Sequence, residues 1–222
     1  MKEIEIIDFK ELQPYKVVWD KQKELMQDAL QQKKQGLTPK NHILFVEHTP
    51  VFTLGKSADE NNILLKNENL GADVFRIERG GDVTFHGPGQ LVVYPIIDLE
   101  QFNMGLREYV ETIEQIIIEI IAEYGLEGMR SEGASGVWLD VGKPQERKIC
   151  AVGIKASRYV TMHGLAFNIN TDLTWFSKIN PCGFIDKGVT SLARELGATQ
   201  NFERVKEKVK LKFKERFEVD SI

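Results

Sequence analysis

Apolar residues recur at positions 106, 109, 110, 113, 116, 117, 120, 121 and 124, a spacing that lays one stripe along an α-helix. The period predicts a helix from about Leu106 to Tyr124, with Gly125 just past its end. A second helix is expected over about Pro14–Lys34, because proline is tolerated in a first turn and Gly36 lies near the stop. Shorter helices are expected over Thr190–Leu196, closed by Gly197, and over about Asn201–Phe217, with Asn201 as N-cap. Short apolar or alternating runs bounded by turn residues read as strands: His42–Val46, Val51–Leu54, Val74–Glu78, Leu91–Ile97, Val137–Asp140, Lys148–Ile154 and Gly164–Asn170. Strands clustered between helices, without strict βαβ alternation, predict an α+β fold. At 222 residues the chain suits a single domain, 1–222, with a sizeable core.

Composition narrows the class only a little. Hydrophobic residues at 42% and charged residues at 28% are ordinary for a soluble globular protein. Met1–Glu5 is too acidic and polar to open a secretory leader. The longest candidate for a membrane span, Ile116–Ile121, is short and broken by Glu119, so no membrane partner is expected. Two cysteines without an export signal suggest free thiols in a reducing compartment, and a cytoplasmic protein. The net charge of −4 gives no reason to expect nucleic acid. Locally, Lys143, Arg147, Lys148, Lys155 and Arg158 stand against Glu146 alone, a basic run that would suit an acidic protein partner.

Candidate chemistry begins at Ile179-Asn180-Pro181-Cys182-Gly183. Pro181 stiffens the approach to Cys182, and Gly183 removes a side chain beside the sulfur, the setting of a presented nucleophile. Upstream, Lys148 opens an apolar strand immediately after a polar turn. Facing Cys182, its ammonium would stabilise a thiolate and exchange protons. A third stretch, Arg79 to Gln90, packs four glycines, Pro88 and His86 between two strand-like runs. Glycines at that density let a ligand lie against the main chain.

Together, Arg79–Gln90, Lys148-Ile149, His163-Gly164-Leu165-Ala166-Phe167-Asn168 and Asn180-Pro181-Cys182-Gly183 resemble the lipoyl(octanoyl) transferase family, the lipoate-protein ligase B type. The resemblance covers roughly residues 40–197. It implies the mixed-sheet fold shared by biotin and lipoate protein ligases. It also implies transfer of an octanoyl group from acyl carrier protein to a lysine of a lipoyl domain, through a thioester on Cys182, with Lys148 as its partner. The acceptors implied are the lipoyl domains of 2-oxoacid dehydrogenases and the H protein of glycine cleavage. By the same resemblance Arg79, Gly80, Gly81, Asp82, Val83, Thr84, Phe85 and His86, with Ala151, Val152, Gly153, Gly164, Leu165 and Ala166, line the acyl site. Phe85, Val152, Leu165 and Ala166 would supply apolar walls, and the small residues room for a linear chain. His86 would either position the reacting groups or brace its loop.

Other motifs fail. Gly55-Lys56-Ser57 lacks the first glycine of a phosphate loop, since position 50 is proline, and Gly87-Pro88-Gly89 meets Val92 where a dinucleotide fingerprint needs a third glycine. His42, His48, His86 and His163 show no metal-ligand spacing, and His42 and His48 are expected to cap a strand. No cofactor or metal is expected, which suits a donor already activated as a thioester. On a regular strand Cys150 would share a face with Lys148, but it lacks the proline and glycine setting of Cys182. Three alternatives remain at this level: an ATP-dependent lipoate-protein ligase, an octanoyl amidotransferase that moves the group between two proteins with its cysteine placed differently, and a non-catalytic acyl-binding module with a redox-active cysteine.

Overall fold

The structure is a computed structural model that describes residues 3–59, 62–64, 71–179 and 188–219. In chain order its elements begin with β1 (Ile4–Asp8), α1 (Tyr15–Lys34), β2 (Asn41–Val46), β3 (Val51–Leu54), β4 (Asp73–Arg76) and β5 (Val83–His86). Next come β6 (Gln90–Ile96), α2 (Leu106–Ala122), β7 (Met129–Ser131), β8 (Ala134–Leu139) and β9 (Arg147–Ser157). The last are β10 (Val160–Asn168), β11 (Gly188–Val189), α3 (Leu192–Leu196) and α4 (Phe202–Phe217). The large sheet runs β1-β2-β6-β10-β9-β8-β7, with β11 added to β9, and a small sheet runs β4-β3-β5. Both mix parallel and antiparallel pairs, as an α+β fold implies.

Every residue of β6 is buried, because helices cover both faces of the large sheet at its centre. On one face α2 and α4 bury Ile113, Ile117, Ile120, Phe213 and Phe217 against Phe45, Val93, Leu165 and Phe167. On the other, Tyr15, Val18 and Met26 of α1 pack over Leu44, Val92, Tyr94 and Ala166. The small sheet keeps a third cluster, with Phe52, Leu54 and Phe85 at its heart. Helix termini follow the expected chemistry: Asn201 accepts the Arg204 amide, and Gly197 closes α3 in the left-handed region.

Two readings of the sequence are corrected. Arg79–Gln90 is not one loop, since Val83–His86 forms β5 and pairs with β3. Neither His42 nor His48 caps a strand. His42 sits within β2, 3.5 Å from Glu5, while buried His48 bonds the Gln13 carbonyl at 3.1 Å and the Tyr94 hydroxyl at 2.8 Å.

The feature that matters most for the site is a bulge in β9. Val137 of β8 pairs with Cys150, yet the next residue, Trp138, pairs with Lys148. Ile149 is therefore the extra residue, and the alternation of side chains is broken there. Ile149 and Cys150 both enter the α2/α4 core, while Lys148 faces the other way, its Nζ 4.4 Å from the centre of the Trp138 ring. Lys148 and Cys150 do not share a face, contrary to the regular-strand expectation. Gly136 makes the bend possible. Its φ of +123° suits glycine, and a Cβ there would stand 2.3 Å from the Cys150 carbonyl oxygen. From α2, buried Glu114 accepts the Gly136 amide at 2.7 Å and holds β8 in that register.

Candidate active site

A cavity of about 110 Å³ opens between α1, the small sheet and the middle of the large sheet. Alternation along β6 sends Gln90, Val92 and Tyr94 into it. From β9 come Lys148, Ala151, Val152 and Gly153, and from β10 His163, Gly164, Leu165, Ala166 and Asn168. Gly164 is required by a close approach: a Cβ would meet the Val93 carbonyl oxygen at 2.2 Å.

From the Arg79–His86 stretch, Arg79, Gly81, Asp82, Val83, Thr84 and His86 reach the cavity. Gly80 and Phe85 are not among its lining residues. Gly80 donates its amide to the Ile154 carbonyl at 3.0 Å. On β5, Thr84 and His86 point in and Phe85 points out, where it stacks on Trp175 at 5.0 Å in the third core. Phe85 is thus no cavity wall, and the strand missed in the sequence explains why.

Arg79 is buried and acts as a strut. Its NH2 donates to the Thr53 carbonyl and the Asp82 carbonyl, each at 2.7 Å, and its NH1 to the Gly80 carbonyl at 2.9 Å. These bonds fold the turn onto β3. His86 is the start of a second buried chain. Its Nδ1 lies 2.8 Å from Gln90 Oε1, while Gln90 Nε2 donates to Asn168 Oδ1 at 2.9 Å. Because that amide oxygen can only accept, the His86 proton sits on Nδ1. Asn168 Nδ2 then donates to the Thr190 carbonyl at 3.0 Å, and the Thr190 amide to the Lys148 carbonyl at 2.9 Å. A continuous line of hydrogen bonds runs from the floor of the cavity to the strand end that carries Lys148.

The cavity is kept free of titrating histidines. Burial lowers His86 to about 3 and His163 to about 3, and the charge of Arg79 adds to both; burial alone takes nearby His48 to about 4. Burial also raises the Cys150 thiol well above its usual range, with the Glu114 carboxylate adding to it, and Cys150 is fully enclosed. It is an inert core residue. Cys182, the expected nucleophile, lies outside the described residues. Around that stretch, Phe176 on one side and Gly188 and Val189 on the other line the cavity, with Gly188 paired to Arg147 and Val189 to Lys148. Among the described residues no group of His, Cys, Asp and Glu could hold a metal ion, and no helix is long and apolar enough to cross a membrane.

Sequence reasoning missed several lining residues. Gln90, Val92 and Tyr94 were legible from their spacing of two on a strand beside the glycine-rich stretch. Tyr15, Trp138 and Phe176 come from distant elements and carry no local signal.

The basic run is less of a patch than its composition suggests. Arg147 pairs with Glu195 at 2.6 Å and Asp140 at 2.5 Å, and Lys143 with Asp140 at 2.7 Å.

The fold is α+β, and it sets a lysine at one end of a mostly apolar cavity, an arrangement compatible with an enzyme that binds an apolar acyl group. Comparison of the sequence with protein families agrees: the lipoyl protein ligase A/B catalytic domain matches residues 14–214. A Bacteroides fragilis octanoyltransferase is 52% identical, with 90% of this chain and 91% of that protein aligned. A Porphyromonas gingivalis octanoyltransferase is 54% identical over 88% of this chain, which spans only 41% of that longer protein. The chain belongs to the lipoyl protein ligase A/B family and, within it, groups with octanoyltransferases. Solved structures share its fold. P. falciparum LipL1, in complex with lipoate, superposes with a TM-score of 0.69 at 12% identity over 97% of this chain and 61% of its own. The bi-partite lipoate protein ligase of Thermoplasma acidophilum gives 0.66 at 16% identity, over 99% and 86%.

Proposed function

We propose that the protein moves an octanoyl group from the phosphopantetheine thiol of acyl carrier protein to a lysine of a lipoyl domain. Lipoyl domains of 2-oxoacid dehydrogenases and the glycine-cleavage H protein are the acceptors. The observation that carries this reading is Lys148, turned by the β9 bulge into the same apolar cavity that Ala151, Val152, Leu165 and Ala166 line. In the first half of the reaction the Cys182 thiolate attacks the thioester carbonyl and the pantetheine thiol leaves with a proton. The second half is attack by the acceptor amine on octanoyl-Cys182, which forms the amide and releases the Cys182 thiol. Lys148 orients the sulfur, accepts a proton from the incoming amine and returns one to the departing sulfur.

Burying about seven apolar carbons at ~0.8 kcal/mol each gives up to about 5 kcal/mol of acyl binding before ordering costs. Neutral His86 braces the Thr84–Gln90 turn through Gln90 and carries no charge to the reaction. The donor thioester supplies the driving force, so no nucleotide is required.

Intact mass spectrometry after mixing with octanoyl-carrier protein tests the reading. An octanoyl adduct lost on Cys182→Ala, and passed to lipoyl domain without ATP, is expected. A strict requirement for ATP would move the protein to the ligases.

A further inference from the structure

His163 is the single residue of β10 whose backbone leaves the strand conformation, with φ at +62°. The cause lies across the sheet. The Pro95 carbonyl faces β10, where it accepts the Thr161 hydroxyl at 2.8 Å. N–H and C=O of one residue in an antiparallel strand point the same way, so the N–H that proline lacks is missing on that side. The β6–β10 register ends at Val93 and Leu165. Without a β6 partner, though still in register with Ile154 of β9, His163 turns its amide to α1 and donates to fully buried Gln22 at 3.0 Å.

By alternation His163 would share the α2/α4 face of Leu165 and Phe167. Its ring stands instead edge-on to Tyr94, with centroids 6.5 Å apart, and lines the cavity. The side chain is 1% exposed, and neither ring nitrogen has a hydrogen-bond partner among the described residues. Left-handed backbone and two unsatisfied buried nitrogens are both costly, and they coincide at one residue facing the cavity.

Strand register locates that residue along the cavity. The lining residues of β9 run from Lys148 to Gly153, and those of β10 run antiparallel from Asn168 back to His163. Lys148 and Asn168 therefore mark one end, Gly153 and His163 the other. Five residues from Asn168 to His163, at ~3.3 Å each, span about 17 Å. An extended eight-carbon chain, with seven C–C bonds of ~1.5 Å in zigzag, spans about 9 Å. The remainder accommodates the thioester and the Lys148 side chain at the head.

We propose that His163 is the end wall that sets acyl-chain length. It is a specificity-determining residue, held across the cavity by the Pro95 gap and the Gln22 bond. The inference rests on the acyl-transfer reading for the direction of the chain. A longer chain has to displace the ring, or press methylenes against nitrogens without a hydrogen-bond partner among the described residues.

The test measures transfer to lipoyl domain from carrier protein loaded with C6, C8, C10 or C12 chains, for wild type, His163→Gly and His163→Asn. Glycine and asparagine both adopt positive φ, so the strand is preserved, and thermal melts check this. In parallel, calorimetry measures binding of free C8, C10 and C12 fatty acids. A methylene in a fitted pocket is worth ~10–200-fold in discrimination. The C10:C8 ratio of kcat/KM is therefore expected to rise at least about tenfold in His163→Gly and less in His163→Asn. The binding ratio should move the same way. An unchanged ratio in folded variants, with all chain lengths weakened equally, overturns the proposal. A wild type that transfers no chain, but whose binding preference still lengthens on His163→Gly, refutes the transferase reading and leaves the end wall standing.

Discussion

Lys148 and Cys150 are two positions apart and end in opposite environments, one facing the cavity and the other sealed in the core. That contrast separates their expected mutant behaviour. Cys182→Ala should abolish transfer, while Cys150→Ala should retain most of it; octanoyl-lysine formed on a lipoyl domain is the measurement. If Lys148 acted only on thiol acidity, lowering a pKa from ~8.5 to ~7 would gain about threefold after the loss in nucleophilicity. Proton transfer and orientation are worth more, so Lys148→Ala should lose at least ~10²-fold and stay low at pH 9. Full recovery at high pH would reduce Lys148 to an electrostatic neighbour. The three enclosed histidines make a separate prediction about stability. Burial holds the folded values of His48, His86 and His163 at about 4, 3 and 3, below the ordinary imidazole value. Above pH 6.5 they are neutral in both states. Below it the unfolded chain takes up the protons, so stability falls as pH falls. Each histidine costs about 2 kcal/mol at pH 5. Urea midpoints between pH 8 and 5 should drop accordingly, and a flat profile would contradict the burial of these rings.

At the level of elements, the long amphipathic helices were legible because their period is strong: α2 ends two residues before the expected Tyr124, and α1 begins one after Pro14. Four strands were not. β1 is a short edge strand, β7 is largely exposed and shows no alternation, β5 is hidden by the glycines around it, and β11 is only two residues long. The β9 bulge has no signature in sequence, since it exists only in the register between two strands. Its dependence on Gly136 can be checked. Gly136→Ala forces a positive φ on alanine and drives its Cβ into the Cys150 carbonyl, which should cost at least ~2 kcal/mol. Transfer should fall further than the melt explains, because Lys148 loses its aim. Gly105→Ala, at a position with open space, is the control. Helix α4 is fastened to β1 through Asp8. Burial opposes its ionisation, but hydrogen bonds from Lys10, Lys210 and Lys206 draw its pKa down to about 2. Asp8 therefore supports the fold above its ordinary value near 3.8 and gives that up between there and about 2. The histidine losses, starting near pH 6.5, come first.

Across the whole molecule, Lys143 and Arg147 are tightly paired with carboxylates, while on the β9–β10 hairpin Lys155 stands 4.0 Å from Glu78 and Arg158 is exposed, the basic feature that the proposed carrier-protein donor would meet. The double charge reversal Lys155→Glu with Arg158→Glu should raise KM for acyl carrier protein several-fold at low salt, with kcat little changed. Unchanged kinetics would place donor docking elsewhere. Cys182 was legible from its proline and glycine neighbours in the sequence, and the fold adds the cavity that Phe176 and Val189 line. The strand order carries one more consequence, for how the protein comes to be folded. The walls of the cavity pair residues remote in the chain, Val93 with Leu165 and Lys148 with Val189, and α1 reaches His163 from the far side of the sequence. Such contacts close large loops and form late, after the helices and the local β9–β10 hairpin. Catalytic competence should therefore be the last property to return on refolding, lagging the far-ultraviolet signal. A ribosome must release nearly the entire chain before a fatty acyl group finds anywhere to sit.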